Sequence, residues 1–184
     1  MNTTLSSEQS NWGVSPHAPW RRYFARIFDI TLLGYLSWVI IGYVSYSLFP
    51  LRADAFFTNL NYLADIILTF FTGCVMSGVF IGSFGTTPGK LIFGVRIKNS
   101  VGSMPSIVEA LSREMNVFIH GLGLGIPIVS FFTMIRCYFK LKNNEHISWD
   151  KDRFTVQYRS SSAKQTMLTI LGLIAYGTLL FYLR

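Results

Sequence analysis

Three charged residues at the start of the first long apolar segment share one face of a predicted helix. Arg22, Arg26 and Asp29 are spaced i, i+4 and i+7, and no charge occurs in the twenty residues of Ile30–Phe49. A charge at the bilayer centre costs about 2.5–3.5 kcal/mol on insertion scales, and an aspartate is too short to reach far toward water. Asp29 could therefore bind a cation or a proton. The spacing fits equally well an ion pair with Arg26 that only stabilises the fold, helped by the positive end of the helix dipole.

The composition indicates an integral membrane protein. Of the 184 residues, 51% are hydrophobic and 14% are charged, whereas a soluble domain has about 25% charged residues. The net charge of +7 suits cytoplasmic loops beside anionic lipid. Nucleic acid is a poorer partner, because the basic residues are scattered along loops and form no compact stripe. Neither the two cysteines nor the three histidines show a ligand spacing, so we expect no metal and no cofactor.

Three segments are long and apolar enough to cross a bilayer about 30 Å thick, which takes about 20 helical residues. They are Ile30–Phe49, Leu63–Phe84 and Met167–Leu183. Residues 1–19 are polar and lack the apolar stretch of a signal peptide, so we predict a disordered cytoplasmic tail there. Residues 20–158 are predicted to form the membrane domain, and residues 159–184 a linker with the C-terminal transmembrane helix.

The second of these segments carries small residues at i, i+4 and i+8, namely Cys74, Gly78 and Gly82. Such a stripe lets another helix approach closely. We expect it to serve helix packing, either within the chain or between copies.

The segment Ser106–Lys140 is apolar but is interrupted in the middle by HGLGLGIP. Each half has about 15 residues, which is too few to cross a bilayer alone. A single crossing would put the five basic residues of the following loop outside, against the positive-inside bias. We therefore predict a re-entrant or interfacial helical hairpin, with a single crossing as the alternative. Ser106 and Glu109 form a capping-box pattern at its start.

Two short segments, GVRIKN and RFTVQYR, alternate apolar and polar side chains as half-buried strands do. They predict a small two-stranded sheet on the cytoplasmic side. The other predicted elements are helices. The predicted fold class is therefore an all-α integral membrane protein with three transmembrane helices, the hairpin and this sheet.

The segment GTTPGKL invites comparison with a phosphate-binding loop. Three residues separate Gly85 from Gly89 instead of four, and Leu91 replaces the hydroxyl residue that would hold magnesium. We predict instead a tight turn that puts Lys90 at the lipid headgroups. The sequence contains no pattern of nucleophile and base or of paired carboxylates, so we do not expect an enzyme.

Several motifs occur in an order that is specific in combination. An arginine opens the first helix, an aspartate lies one turn inside it, and GTTPGKLIFGVRIKNSVG, SREMN and HISWDKDRFTVQ follow. This order resembles the RDD family of membrane proteins, which is named for one arginine and two aspartates. The resemblance covers about Pro19–Tyr158 and implies that Arg26 is the family arginine and that Asp29 and Asp150 are the two aspartates.

The resemblance implies a multi-pass protein of a bacterial-type inner membrane. Transport has been suggested for the family, and some relatives are associated with sodium/proton exchange. The expected function is therefore transport of an ion or small solute, such as cation/proton exchange. Because three spans and a hairpin rarely enclose a solute path, we expect a homo-oligomer or a membrane partner in the lipid bilayer.

In the predicted topology the N-terminus is cytoplasmic and the family residues lie at the cytoplasmic face. In a transporter Asp29 would bind the cation or proton, Arg26 would favour its charged form, and Asp150 would close the site. The supporting residues of this polar cluster would be Arg22, Lys90, Glu109, Arg113 and His120. In the alternative, a membrane scaffold or accessory subunit, the same cluster is structural.

Overall fold

The structure is a computed structural model that describes residues 12–13, 19–143, 145, 149–150, 153–160 and 162–182. Within these residues the chain forms seven α-helices and three strands. The strands are β1 (Trp12–Gly13), β2 (Val95–Asn99) and β3 (Phe154–Arg159). The helices are α1 (Pro19–Leu48), α2 (Pro50–Thr58), α3 (Tyr62–Phe84), α4 (Pro88–Ile92), α5 (Ile107–Asn116), α6 (Pro127–Lys142) and α7 (Ala163–Tyr182).

Two helices in the described part of the chain, α1 and α3, are long and apolar enough to cross a membrane. In the most apolar stretch of each, only 33% of the residues are buried within the protein. Apolar helices that stay mostly uncovered need lipid or another protein on their outer faces. Helix α1 begins at Pro19, well before the predicted span Ile30–Phe49, so the charged residues Arg22, Arg26 and Asp29 lie inside the helix.

Glycines let α1 and α3 approach each other closely. A Cβ atom at Gly73 would lie 2.8 Å from the Ile30 carbonyl oxygen, and one at Gly34 would lie 2.7 Å from that of Thr69. The tryptophan ring of Trp38 donates a hydrogen bond to the Thr69 hydroxyl over 2.6 Å. These contacts make α1 and α3 a closely packed antiparallel pair. The other elements pack against this pair.

The segment after β2 folds back on itself as a helical hairpin. The capping box of Ser106 and Glu109 begins α5, as the sequence predicted. A π-helical turn (Val117–Gly121) and a short 3-10 turn (Gly123–Gly125) then reverse the chain into α6. The Thr133 hydroxyl donates to the Gly121 carbonyl oxygen over 2.9 Å and fastens α6 to the turn. The re-entrant placement of this hairpin in a bilayer stays a prediction.

The predicted small-residue stripe of α3 lies against this hairpin. A Cβ atom at Gly82 would lie 2.4 Å from the Ile107 Cα atom, and one at Gly78 would lie 3.0 Å from the Leu111 Cα atom. Cys74 is buried in the same interface. The stripe therefore serves contacts within the chain.

The strands form one antiparallel sheet in the order β1-β3-β2. Strands β2 and β3 are the two segments that the alternation singled out, and Ile97 lies opposite Val156. The sheet has a third strand that the sequence did not predict. Since Trp12 and Gly13 pair with β3, the prediction of a disordered tail over residues 1–19 is wrong for these two residues. The Trp12 ring lies between the guanidinium groups of Arg96 and Arg159, at 4.8 Å and 4.9 Å.

The sheet covers the Pro19 end of the helix pair. Its buried side chains join Ala25 and Phe28 of α1 and Ile81 of α3 in one hydrophobic core. Helix α7 contains the described part of the third predicted span, Met167–Leu183, whose last residue lies outside the described residues. The Gln165 amide of α7 donates to the Ile92 carbonyl oxygen over 2.8 Å, which anchors the helix start. That α7 crosses the membrane stays a prediction.

Candidate functional site

Two arginines from different helices hold Asp150. Arg113 of α5 donates to its Oδ1 atom from Nε at 2.8 Å, and the Nη2 atom of Arg113 forms an ion pair with the same oxygen at 2.7 Å. Arg22 of α1 donates to Oδ2 from Nη1 at 3.0 Å. Asp150 is 8% exposed and Arg113 is 4% exposed, so these charges are shielded from water. Because charge-assisted hydrogen bonds are about twice as strong as neutral ones, the network fixes the loop before β3 onto the helices.

The same Arg22 side chain also reaches the sheet. Its Nε atom donates a hydrogen bond to the phenol oxygen of Tyr158, and its guanidinium group lies 5.4 Å from the centre of that ring. Burial raises the pKa of Tyr158, although Arg22 acts in the opposite direction. The phenol therefore keeps its proton at neutral pH and accepts the Arg22 hydrogen bond as a neutral group.

Asp29 is bound by the turn between α3 and α4. Its Oδ1 atom accepts a hydrogen bond from the Gly89 backbone N–H at 2.7 Å. Its Oδ2 atom accepts from the Thr87 hydroxyl and from the Lys90 ammonium group, the latter at 3.3 Å. Asp29 is 1% exposed, so all of its contacts are to protein atoms. This buried carboxylate is paired and hydrogen-bonded, as a buried charge must be.

The GTTPGKL segment is shaped to receive this carboxylate. Thr87 is the N-cap of α4 and Pro88 is its first residue, which leaves the Gly89 N–H free to donate to Asp29. A Cβ atom at Gly89 would lie 2.5 Å from the Ala25 carbonyl oxygen, so only glycine fits against α1. The prediction that Lys90 lies at the lipid headgroups is wrong, because this side chain is buried and paired with Asp29.

Arg26 does not pair with Asp29, and the predicted Arg26–Asp29 ion pair is therefore wrong. Its Nη1 atom lies 3.9 Å from the Glu114 Oε2 atom, and its guanidinium group lies 6.0 Å from the centre of the Trp149 ring. Glu114 is itself bound at 2.5 Å by the Nη1 atom of Arg113. The Arg26 Nη1 atom is buried and has no hydrogen-bond partner among the described residues. An unsatisfied buried donor is rare in proteins, which makes this atom a candidate contact for a ligand.

Arg26 borders a cavity of about 70 Å³ between α1, α5, α6, the sheet and the Trp149–Asp150 loop. We call it the arginine cavity. Four cationic side chains and one carboxylate line it, and its remaining wall is largely apolar. The charged lining residues are Arg22, Arg26, Lys90, Arg113 and Asp150. Asp29 and Glu114 pair with Lys90 and Arg113 beside the cavity, so four cations stand against three carboxylates in all. The one positive charge that remains favours an anion over a cation.

Two predicted members of the cluster lie elsewhere. Glu109 is exposed and its carboxylate accepts hydrogen bonds from Ser106 in the capping box. His120 is exposed, and its Nδ1 atom lies 3.2 Å from the Asn116 carbonyl oxygen. The placement of these two residues in the polar cluster is therefore wrong. In the described part of the chain no group of three or more histidine, cysteine or acidic residues is arranged to hold a metal ion.

Sequence reasoning missed Glu114, which lies in the centre of the network. Helical spacing groups Glu109 with Arg113, which are four residues apart. Glu114 directly follows Arg113 in the chain and falls outside that spacing. Successive helical residues point about 100° apart, so Arg113 and Glu114 can meet only by curling their side chains toward a shared buried space. Its sequence signal was an acid directly after the arginine of the SREMN segment.

Long apolar helices with uncovered outer faces, and a buried ionic network at one end of them, are typical of a helical membrane protein. The particular class follows from a family model, described as the RDD family, that matches residues 16–151. The chain belongs to the RDD family, as the order of its motifs indicated. Searches of curated proteins and of solved structures gave no match.

Proposed function

We propose that this protein takes part in transport of a small charged solute across the inner membrane. The observation that carries the proposal is the unsatisfied Nη1 atom of Arg26 beside the arginine cavity. Ionisable residues buried among membrane helices are costly, and they most often mark a substrate or ion pathway. Because the four cationic side chains at the cavity exceed the three carboxylates paired with them by one charge, the favoured solute is an anion. The protein is not proposed to be an enzyme.

Cation/proton exchange, which family resemblance implies, would place the ion at Asp29. Both carboxylate oxygens of Asp29 already accept hydrogen bonds, and Lys90 occupies the position that a cation would take. A cation would therefore have to displace Lys90. This makes Asp29 a weaker candidate for the working site than Arg26.

A scaffold or accessory subunit is the second candidate. The observation in its favour is that Asp29, Glu114 and Asp150 each have a cationic partner within 4 Å. A network of that kind can hold the loop and the hairpin on α1 without any solute. In either case a homo-oligomer or a membrane partner is proposed, because the described helices are few for a complete solute path.

Flux into proteoliposomes tests these alternatives. Purified protein in vesicles would be supplied with radiolabelled phosphate or acetate, and sodium-driven pH change would be followed with an internal dye. We expect anion uptake above empty vesicles, a loss of at least tenfold in Arg26→Gln, and normal uptake in the matched control Arg52→Gln. Arg52 is exposed on α2, which follows the far end of α1, and carries the same charge.

Three results would change the assignment. A sodium-driven pH change that is lost in a well-folded Asp29→Asn protein would move the working site to Asp29. Anion uptake that is unaffected by Arg26→Gln would remove the arginine cavity from the path. No flux of any probe through folded wild-type protein would favour the scaffold.

The proposed topology has a cytoplasmic N-terminus and a hairpin that returns to the cytoplasmic side. Single cysteines at Ser100 and Ser160, in a protein without Cys74 and Cys137, should be shielded from an impermeant thiol reagent in intact cells. A single cysteine at Thr58 should be labelled. Labelling at Ser160 but not at Ser100 would show that the segment between them crosses the membrane once.

A further inference from the structure

A large apolar groove runs along α1 next to the arginine cavity. Its volume is about 900 Å³, and side chains from α1, α3, α6 and α7 line it. On α1 it extends from Trp20 to Thr31, which corresponds to roughly 17 Å along a helix that rises 1.5 Å per residue. Nearly all of its lining side chains are aliphatic or aromatic. We call this feature the apolar groove.

The apolar groove and the arginine cavity share part of their walls. Tyr23, Met134 and Tyr138 line both. Tyr23 and Tyr138 are each 40% exposed, so they lie at the outer surface where the two spaces meet. A single molecule could therefore place an apolar chain in the groove and a charged group at the cavity.

We propose that the ligand of this combined site is an anionic lipid, whose acyl chain lies in the apolar groove and whose phosphate binds at Arg26. This inference rests on the proposed anion site and names the class of anion that it takes. The Arg26 side chain lines the cavity and is 19% exposed, so the phosphate would meet its guanidinium group there. A rotation of that group would bring the unpaired Nη1 atom, which is buried in the structure, to a phosphate oxygen. Arg22, which is partly exposed beside it, would supply a second positive charge.

Charge and position favour a lipid over other occupants. Basic pockets between membrane helices on the cytoplasmic side recognise anionic lipid headgroups, and aromatic side chains gather at headgroup level. Trp20, Tyr23 and Tyr138 provide such aromatic groups at the Pro19 end of the groove. A water-soluble anion would satisfy Arg26 but would leave the apolar groove uncovered. A helix of a second copy would also cover the groove, but it would not in general place a negative charge beside Arg26.

Fluorescence quenching can detect a lipid in the groove because Trp20 lies at its end. Wild-type protein would be reconstituted into phosphatidylcholine vesicles with a small fraction of brominated-chain phosphatidylglycerol or, in parallel, brominated-chain phosphatidylcholine. Subtracting the signal of Trp20→Phe isolates the contribution of Trp20 from the other tryptophans. We expect quenching by the phosphatidylglycerol to exceed that by the phosphatidylcholine by at least threefold.

Variants connect this preference to the two parts of the site. Arg26→Gln should abolish the preference for phosphatidylglycerol, whereas Arg52→Gln should retain it. Thr31→Phe should fill the groove and reduce quenching by both lipids. Since the comparison of two lipids in wild-type protein needs no variant, a folding defect in Arg26→Gln leaves the main result intact.

A titration with inorganic phosphate separates the lipid inference from the anion site. Equal quenching by the two brominated lipids overturns the lipid inference. If phosphate then raises the melting temperature of wild-type protein but not of Arg26→Gln, the anion site stands without a lipid. If phosphate has no effect either, both proposals fail. Protection of Trp20 from both lipids, together with dimer formation in the vesicles, would instead assign the groove to a second copy of the chain.

Discussion

Arg113 binds one oxygen of Asp150 through two nitrogen atoms, with Nε at 2.8 Å and Nη2 at 2.7 Å. The two residues belong to the hairpin and to the loop before β3, so this contact joins the sheet to the membrane helices. Both side chains are less than a tenth exposed. Loss of Asp150 would leave Arg113 with Glu114 alone, and loss of Arg113 would leave Asp150 with Arg22 alone.

The Asp150→Asn protein should therefore be destabilised. Breaking a buried ion pair from one side costs about 3–5 kcal/mol, and here Arg22 would lose its carboxylate partner while Arg113 would keep only Glu114. The measurement is the melting temperature in detergent together with the yield of folded protein. Asp54→Asn is the matched control, because Asp54 is exposed on α2 and its replacement should change neither quantity. A melting temperature for Asp150→Asn equal to that of wild type would contradict the network.

The stability that is lost in Asp29→Asn should be recovered by also replacing Lys90, and not by also replacing Arg26. Asp29→Asn should lower stability because it leaves the Lys90 ammonium group buried without a counter-charge. Adding Lys90→Met should restore much of the lost melting temperature. Adding Arg26→Gln to Asp29→Asn should restore none of it. Recovery with Arg26→Gln instead would reinstate the ion pair that the sequence spacing suggested.

Gly89→Ala should disrupt the contact between α4 and α1. The new Cβ atom would lie 2.5 Å from the Ala25 carbonyl oxygen and 2.8 Å from the Asp29 Oδ1 atom, so backbone must move. Gly42→Ala is the matched control, because a Cβ atom there would meet nothing within 4 Å. In a helix interior alanine is favoured over glycine by roughly 0.5–1 kcal/mol. Thermal unfolding should therefore show a clear loss for Gly89→Ala and no loss for Gly42→Ala.

The register of the sheet predicts a specific disulfide. Arg96 lies directly opposite Gln157, so cysteines at these two positions should crosslink on mild oxidation in a protein without native cysteines. The control combines Arg96→Cys with Thr155→Cys. Thr155 faces Lys98, and diagonal positions are about 7–8 Å apart, beyond the reach of an unstrained disulfide. Preferential crosslinking of the control pair would mean that β3 is shifted by two residues.

Much of the architecture could be read from local patterns. The apolar lengths predicted α1 and α3, and the glycine break predicted the reversal between α5 and α6. Ser106 and Glu109 formed the capping box because such a box depends on residues three apart in one helix. The register of the sheet was less accessible. Val95 lies opposite Tyr158 and not Val156, because alternation defines which face is buried but not which residues pair.

The sequence by itself determined that this chain is a membrane protein of the RDD family, since composition, apolar length and motif order are properties of the chain. Only the tertiary structure decided which charges meet. Asp29 lies three residues from Arg26 but binds Lys90, and Arg26 lies near Glu114 instead. Spacing along one helix permits an ion pair but does not select it. Each charge pairs with the residue that is buried beside it. Gly89 lets α4 approach α1 and brings Lys90 to Asp29, and the hairpin packed against α3 brings Glu114 to Arg26.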